Sequence, residues 1–167
     1  MGNKAAFAEI VREHQGMVFS IAYHFLHDRA IAEEVAQETF WQLHKHLDSL
    51  ESPEHITRWL RRATSNRCID YARRQKLAPQ VCLEAIPEPS AYDVPGDPLL
   101  ARRLRLLVAS LPPKQRMVVV LRYQEDLEPE EIAGVLNIPV GTVKSQLQRS
   151  LTILREKLAR TMGMVNL

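Results

Sequence analysis

The sequence has few of the residues that disulfide-bonded, membrane-spanning or phosphate-binding proteins need. It contains only two cysteines, Cys68 and Cys82, with no CxxC pair, so we expect reduced thiols in an intracellular protein. Six glycines leave little room for glycine-rich phosphate loops or for the many tight turns of a β fold. The longest apolar run, MVFSIAYHFL, is too short to cross a bilayer, and the N-terminal MGNKAAFAEIVREHQ has no signal-peptide core. The sequence therefore predicts an all-α protein of the cytoplasm.

The titratable side chains form no pattern typical of catalysis or metal binding. His44 and His46 are at positions i and i+2, which places their rings on different faces of a helix, so packing or solvent contact explains them better than a metal ion. No Ser/His/Asp triad and no pair of neighbouring carboxylates stands out. We therefore predict that the protein is not an enzyme and has no metal, no cofactor and no small-molecule substrate.

The charged residues divide the chain into two basic parts and an acidic one. Residues 1–76 carry a net charge of +1, residues 77–101 of −4 and residues 102–167 of +5, which together make the +2 of the whole chain. Within the first part, residues 58–76 hold seven positive charges against the single carboxylate of Asp70. Two basic regions indicate polyanion binding at two places, although a basic helix face can also be only a solvated surface.

A proline-rich segment separates two helical regions. Five of the ten prolines lie between positions 79 and 98, and their fixed φ angles and missing amides exclude a long helix there. Asp97 followed by Pro98 is typical of a helix start, with an N-cap and a proline in the first turn. Apolar residues at helical spacing precede and follow this segment. The sequence thus predicts two small helical domains, residues 1–76 and 99–167, joined by a flexible acidic linker, residues 77–98.

The stretch EEIAGVLNIPVGTVKSQLQR, residues 130–149, predicts two short helices joined by a tight turn, a helix-turn-helix. Glu128 and Pro129 suit the start of the first helix. Asn137 stands where the chain must reverse, in a left-handed conformation that Asn tolerates, and Thr142 is the expected cap of the second helix. Outward polar side chains on that second helix suit the major groove, and we expect them to be Lys144, Ser145, Gln146, Gln148 and Arg149. A plain helical hairpin with a polar surface is the alternative.

A second basic helix is expected upstream, in TRWLRRATSNRCIDYARRQK. At 100° per residue, its basic and polar side chains fall on one face, which comprises Arg58, Arg62, Asn66 and Arg73, with Arg61 and Ser65 at its margin. Trp59 lies in the apolar stripe, where core packing explains it better than stacking on a base. The sequence therefore predicts a helix with one face for phosphates and bases and the other for the core.

The helix before it has an acidic surface instead. The residues that cluster there are Glu33, Glu34, Gln37, Glu38 and Trp41. DNA would repel such a surface, whereas a protein partner would suit an acidic patch with an exposed aromatic side chain. From the charges alone, a solvated helix face is an equally good interpretation.

Taken together, these segments resemble the extracytoplasmic-function (ECF) sigma factors of the sigma-70 family, bacterial subunits that direct RNA polymerase to promoters. DRAIAEEVAQETFWQLHKHL is similar to the family's polymerase-binding helix, WLRRATSNRCIDYARRQK to its −10 element helix, and residues 111–151 to its −35 element domain. The three segments follow the family's order and spacing across the proline-rich linker. The resemblance implies a sigma region 2-like bundle followed by a sigma region 4-like helix-turn-helix domain.

The resemblance also implies a role for each surface. The acidic surface would bind the β′ coiled coil of core RNA polymerase, and the polymerase β flap and an anti-sigma factor are further implied partners. The −10 region of promoter DNA would meet Asp48, Ser49, Arg58, Arg61, Arg62, Asn66, Asp70, Arg73 and Arg74, the first two of which lie in the loop that captures a flipped base. The −35 duplex would meet Thr142, Lys144, Ser145, Gln146, Gln148 and Arg149.

Two departures from the family pattern accompany these expectations. Gln146 stands where many members have arginine, so one basic contact is missing and the −35 preference is expected to differ. Glu33 and Glu34 stand where aspartate is usual, which keeps the charge but lengthens the side chain. We expect no added domain after Leu167 and hence no regulation by a C-terminal extension.

Two rival hypotheses remain open from the residues alone. A stand-alone repressor or activator would bind a palindromic operator through residues 144–149 and dimerise through its first domain. A protein-interaction module would use the acidic surface and ignore DNA, which the basic face around Arg62 argues against. For the sigma factor itself, we hypothesise that the acidic linker folds against the basic faces of the free protein until polymerase separates the two domains.

Overall fold

The computed structural model describes the backbone of residues 2–77 and 96–165 and the side chains of residues 4–75 and 96–163. All regular structure in these ranges is helical, as the sequence predicted. The helices are α1 (Gly2–Leu26), α2 (Arg29–His46), α3 (Pro53–Leu77), α4 (Pro98–Ala109), α5 (Pro113–Tyr123), α6 (Pro129–Leu136) and α7 (Val140–Val165), with one 3-10 turn at Leu47–Ser49. Most of the predicted linker, including Cys82, lies outside the described residues.

Helices α1 to α3 form a first bundle, whose turns follow local signals in the sequence. His27 ends α1 with a positive φ of 50°, and the Asp28 carboxylate then caps α2 by accepting a hydrogen bond from the Ile31 amide at 3.1 Å. This cap satisfies one of the amides that a helix start leaves unpaired. The apolar core at the Leu47 end of the bundle consists of Val18, Phe40, Leu43 and Leu60, with Phe7, Ile10, Ile56 and Trp59 packed around it.

The second bundle begins at Asp97, as predicted. The Asp97 carboxylate accepts a hydrogen bond from the Leu99 amide at 3.0 Å, and Pro98 occupies the first turn of α4. Helix α4 ends at Ala109, before Pro112 and Pro113, and Pro113 then opens α5. Because proline costs no hydrogen bond in a first turn but ends a helix that precedes it, the same residue type both stops α4 and starts α5.

Helices α6 and α7 form the predicted helix-turn-helix. Glu128 and Glu131 make a reciprocal capping box at the start of α6, and Asn137 adopts the left-handed conformation, with φ 55° and ψ 49°. The prediction that Thr142 caps the second helix is wrong. Helix α7 already begins at Val140, and the Thr142 amide donates to the Pro139 carbonyl at 3.0 Å. Proline holds the φ angle of a helix start without a side-chain cap, so Thr142 lies inside the first turn.

The two bundles share one continuous apolar core. From the first bundle it includes Ile21, Phe25, Cys68, Ile69 and Ala72, and from the second Met117, Val118, Leu121, Ile132 and Val143. Helix α5 packs on α1 and α3, and α6 packs on α3. The chain therefore folds into two bundles that lie against one another rather than apart.

Candidate nucleic-acid and polymerase-binding faces

Helix α3 presents a polar face that the second bundle leaves uncovered. The exposed side chains are Arg58, Arg62, Asn66, Asp70, Arg73 and Arg74. Ser65, Cys68 and Ala72 are buried. The four residues predicted to form the basic face, Arg58, Arg62, Asn66 and Arg73, are thus exposed, whereas the prediction that Ser65 lies at the margin of that face is wrong. We call the six exposed residues the α3 face.

Arg61 differs from the other arginines of the predicted set. Its side chain is half-buried, and its Nε atom is buried with no hydrogen-bond partner among the described residues. Its positive charge lies close enough to Glu125, at the end of α5, to favour the ionised form of that carboxyl. Arg61 therefore points toward the second bundle, and it does not share the open surface of its neighbours.

The loop before α3 is short and polar. Asp48 and Ser49 are both exposed in the 3-10 turn, and the Ser49 hydroxyl donates to the His46 carbonyl at 2.7 Å. The Ser52 hydroxyl accepts a hydrogen bond from the His55 amide at 3.1 Å and thereby fixes the start of α3. The two predicted loop residues, Asp48 and Ser49, therefore lie just before α3 with their side chains open to solvent.

The first turns of α7 carry the second predicted DNA surface. Lys144, Ser145, Gln148 and Arg149 are exposed, whereas Val143 and Ser150 are buried and anchor the helix against α5 and α6. We call the four exposed residues the α7 face. The Lys144 ammonium lies 3.9 Å from the Glu130 carboxylate on α6, a contact that an exposed pair gives up readily in favour of a phosphate.

Two residues of the predicted α7 set are placed differently. Gln146 was expected to point outward, but it is half-buried, and its Oε1 atom is buried with no hydrogen-bond partner among the described residues. Thr142 is also half-buried. The outward prediction for Gln146 failed because the 3.6-residue period puts this position beside Val143 and Ser150, on the edge of the packed side.

The acidic surface of α2 is exposed throughout. Glu33, Glu34, Gln37, Glu38 and Trp41 all face solvent, with Trp41 60% exposed. The Trp41 ring is stacked on His44, with Lys45 above it at 5.1 Å from the ring centroid. Glu38 forms an ion pair with Arg67 of α3 at 3.1 Å, so the acidic surface is tied to the helix that carries the α3 face. We call these five residues the α2 face.

Other kinds of site are absent from the described residues. No group of three or more His, Cys, Asp or Glu side chains in this part of the chain is placed to hold a metal ion. No helix among those described is long and apolar enough to cross a membrane. Cys68 is a free thiol in the core, and burial raises its pKa to about 12, which makes it a packing residue rather than a nucleophile.

Comparison with known proteins decides between the hypotheses. Residues 10–78 match the family model of sigma-70 region 2, and residues 101–154 match that of sigma-70 region 4. The chain is 31% identical to the ECF RNA polymerase sigma factor SigW of Bacillus subtilis, with 94% of this chain and 91% of the relative covered. The chain belongs to the ECF sigma factors of the sigma-70 family. It is also 33% identical to the RNA polymerase sigma-E factor of Streptomyces coelicolor, over 95% of this chain and 89% of the relative.

The fold of this ECF sigma factor agrees with that of a solved relative. It is similar to the sigma factor RpoE of Bartonella quintana, whose structure was solved in complex with the anti-sigma factor NepR, with a TM-score of 0.71 and 20% identity. The likeness covers 92% of this chain and 97% of the relative. Membership of the family makes the chain a non-catalytic, DNA-binding subunit of RNA polymerase that acts in transcription initiation.

Sequence reasoning about this sigma factor missed a group of residues between the two bundles. The Arg116 guanidinium of α5 lies over the Phe25 ring of α1, 4.7 Å from the ring centroid. The same group donates hydrogen bonds to the carbonyls of Ala109 and Leu111 at 2.7 and 3.2 Å, and burial lowers its pKa. One signal was available in the apolar run MVVVL, residues 117–121, because a helix that is apolar all round must be covered on every side.

Proposed function

We propose that this ECF sigma factor divides its work among the three exposed faces described above. The α2 face would bind the β′ coiled coil of core RNA polymerase, the α3 face with Asp48 and Ser49 would engage the −10 region, and the α7 face would read the −35 duplex. The observation that supports this assignment is that the three faces lie on three different helices, are all open to solvent, and do not overlap.

The charges of the faces support the division between protein and DNA. Phosphates attract the arginines of the α3 face and Lys144 and Arg149 of the α7 face, and release of counterions makes such binding strongly dependent on salt. The three carboxylates of the α2 face repel DNA but complement a basic helical partner, and Trp41 offers an exposed ring of the kind enriched at protein interfaces.

Opening of the promoter would take place at the α3 face. Arg58, Arg62 and Arg73 would hold the phosphates of the −10 strand, while Asn66 and Asp70 offer hydrogen-bonding groups to unstacked base edges. Asp48 and Ser49 would receive a base that has left the stack, which costs a few kcal/mol and is repaid by contacts in the protein. Arg61 would contribute to −10 binding mainly through its position beside Glu125 and less through direct contact with DNA.

Recognition of the −35 duplex would depend on a short set of contacts. Arg149 and Gln148 are long enough to reach base edges in the major groove, and Lys144 and Ser145 suit phosphates. Gln146, being half-buried, would support the orientation of α7 instead of reading a base. We therefore expect Gln146 to have little direct effect on which −35 sequence is preferred.

The remaining partners follow from the family and its relatives. The second bundle would contact the polymerase β flap. An anti-sigma factor would control the protein, because the similar RpoE of Bartonella quintana forms a complex with the anti-sigma factor NepR. We place the protein in the cytoplasm, where core polymerase and promoter DNA are found. Residues 1–76 and 99–167 would act as its two functional domains, joined by residues 77–98.

Run-off transcription from a promoter library with bacterial core polymerase tests the proposal. We expect starts from one promoter class that depend on the protein and that disappear with Gln37→Ala and Arg73→Ala. The exposed residues Gln42 and Arg12 lie outside the three faces, so Gln42→Ala and Arg12→Ala serve as matched controls. DNA binding by the protein alone at palindromic sites, without initiation, would support a stand-alone regulator instead.

The α7 face has its own quantitative test. Arg149→Ala should cost about 1–3 kcal/mol at one base position if Arg149 reads a base, whereas Lys144→Ala should weaken binding to all sequences and reduce the salt slope by about one. Arg155→Ala, at an exposed position two turns further along α7, is the control for loss of charge. An equal loss on all DNA for Arg149→Ala would identify it as a phosphate contact.

A further inference from the structure

An ion pair joins the α2 face to the helix that carries the α3 face. The Arg67 guanidinium of α3 donates a hydrogen bond from Nη1 to the Oε2 atom of Glu38 on α2 at 3.1 Å. Glu38 belongs to the α2 face, whereas Arg67 belongs to none of the three faces. A contact between these two helices matters for both, because the faces that they carry are proposed to bind different partners.

Arg67 lies on the flank of the α3 face. It precedes Asp70 by about one helical turn and Arg74 by about two, so the three side chains leave α3 on the same side. The Arg67 side chain is 26% exposed, at the boundary between α2 and α3. A guanidinium has several N–H donors and binds phosphates well, so Arg67 is placed to reach a phosphate at the edge of the α3 face.

The ion pair between Arg67 and Glu38 is weak enough to open. The Glu38 side chain is 55% exposed, and an exposed ion pair changes an equilibrium by no more than about fivefold. Apolar contacts of Phe40, Leu43 and Leu60 hold α2 and α3 together, so the two helices stay packed when the pair opens. Arg67 can therefore exchange the carboxylate of Glu38 for a phosphate with little loss of stability.

We propose that Arg67 is a further contact of the −10 strand, which Glu38 withholds from DNA until core polymerase binds Glu38. The inference rests on the proposed function, because Glu38 must belong to the polymerase-binding face. A basic partner helix attracts the Glu38 carboxylate, opens the ion pair and leaves the Arg67 guanidinium for a phosphate. In the free protein, the Glu38 carboxylate occupies Arg67 in the way that a phosphate would.

The exchange of partners works in both directions. Polymerase that binds Glu38 raises the affinity of Arg67 for DNA, and DNA that binds Arg67 raises the affinity of Glu38 for polymerase by the same factor. The strength of the ion pair limits this factor to about fivefold. The free protein therefore binds single strands less tightly than its arginines alone would allow, and the difference is recovered in the complex with polymerase.

Binding of a fluorescent DNA single strand tests the proposal. The strand carries the −10 sequence of the promoter class that run-off transcription identifies. Its affinity is measured by fluorescence anisotropy over a range of salt, with the free full-length protein and with the protein saturated with core polymerase. Arg67→Ala removes the proposed contact, Arg67→Lys keeps a cation for the phosphate, and Glu38→Gln opens the ion pair while Arg67 stays in place.

We expect the substitutions to act in different states of the protein. In the free protein, Glu38→Gln should strengthen strand binding about two- to fivefold and raise the salt slope by up to about 0.7, the contribution of a single phosphate contact on a single strand. Arg67→Ala should change that binding by less than about twofold. In the polymerase complex, Arg67→Ala should weaken strand binding about fivefold and lower the salt slope by about 0.7, while Arg67→Lys keeps the slope and Glu38→Gln matches the wild type.

Two controls separate this exchange from a general change in charge. Glu33→Gln removes the same charge from the α2 face, but Glu33 pairs with Arg29 on its own helix at 3.3 Å, so the salt slope of the free protein should stay at the wild-type value. Arg12→Ala removes an exposed arginine outside the three faces and should alter strand binding in neither state.

The outcomes distinguish failure of this inference from failure of the proposed function. Equal effects of Arg67→Ala in the two states, a wild-type salt slope for Glu38→Gln in the free protein, or an equal rise in slope for Glu33→Gln would each overturn the exchange. Because Glu38 is exposed, Glu38→Gln tests the exchange even where Arg67→Ala unfolds the protein. If the wild type with core polymerase neither binds the strand nor initiates, the proposed function itself is wrong.

Discussion

Replacement of the half-buried Arg116 by alanine should destabilise the protein more than removal of an exposed arginine. The guanidinium makes three contacts at once, with the carbonyls of Ala109 and Leu111 and with the ring of Phe25. The two carbonyls lie at and just beyond the end of α4, where a helix leaves its last acceptors unpaired. Arg116→Ala therefore removes a C-terminal cap of α4 and a contact between the bundles together.

The contacts of Arg116 also set the size of the expected effect. Hydrogen bonds from a charged donor contribute about 1.5–3 kcal/mol each, and a guanidinium over an aromatic ring about 1 kcal/mol. The cost of burying the charge, which lowers the pKa of Arg116, offsets a large part of this sum, and water can reach carbonyls near a helix end. We expect Arg116→Ala to lower the free energy of unfolding by about 2–3 kcal/mol, or the melting temperature by about 4–12 °C.

Urea unfolding followed by circular dichroism measures this change through the midpoint and the slope. Both hydrogen bonds come from the Nη2 atom of Arg116. Arg116→Lys keeps the charge but has no planar guanidinium to lie over the Phe25 ring, so it should recover only part of the loss. Lys114→Ala removes a cation at an exposed position of the same helix and should stay within about 0.5 kcal/mol of the wild type. An Arg116→Ala value equally close to the wild type would refute the assignment of Arg116 as both cap and bridge.

Three further outcomes are expected. Asn137→Val forces a β-branched residue into a left-handed conformation and should cost about 1–2 kcal/mol of unfolding free energy, while Asn137→Gly should cost less than about 0.5 kcal/mol. Burial raises the pKa of the Glu125 carboxyl, more than the nearby charge of Arg61 lowers it. Raising the pH through this pKa should therefore destabilise the folded protein, because the buried carboxyl ionises. By urea unfolding, Glu125→Gln should be more stable than the wild type at pH 7, and the two should converge near pH 4. In a Cys82→Ser background, Cys68 should react with a thiol reagent only after denaturant is added, since the thiol is buried and protonated; reaction at the rate of a free thiol in the native protein would contradict its placement in the core.

The parts of the fold that were predictable depend on local rules. Asp97 with Pro98, the Glu128 cap with Pro129 and the left-handed Asn137 all sit where the sequence placed them, because each acts on its own turn of backbone. The prediction for Thr142 was wrong because a threonine near a helix start is often the cap, whereas here Pro139 fixes the backbone and α7 begins at Val140. When two neighbouring residues can both start a helix, the backbone geometry decides between them, and that geometry cannot be read from the residue types alone.

The interface between the bundles was not predicted, for a different reason. Helical periodicity shows which side of α3 or α5 is apolar, but not which surface will cover it. Ile69 and Ala72 read equally well as core of the first bundle, and Met117 as core of the second. Helical spacing put Arg61 at the margin of the basic face and the resemblance put it in the −10 set, but neither showed that its side chain is half-buried near Glu125.

The continuous core also limits how freely the two regions of this protein can be exchanged with those of relatives. Phe25 and Met117 belong to the core that the two bundles share. Which side chain packs well at either position therefore depends on the sequence of the other bundle. A chimera that takes residues 99–167 from a homologue would keep the folding signals of each half but inherit an interface that was never matched. Such hybrids should pack their two bundles less well than either parent, so a change of activity in a region swap would reflect this lost fit as well as a different promoter reader.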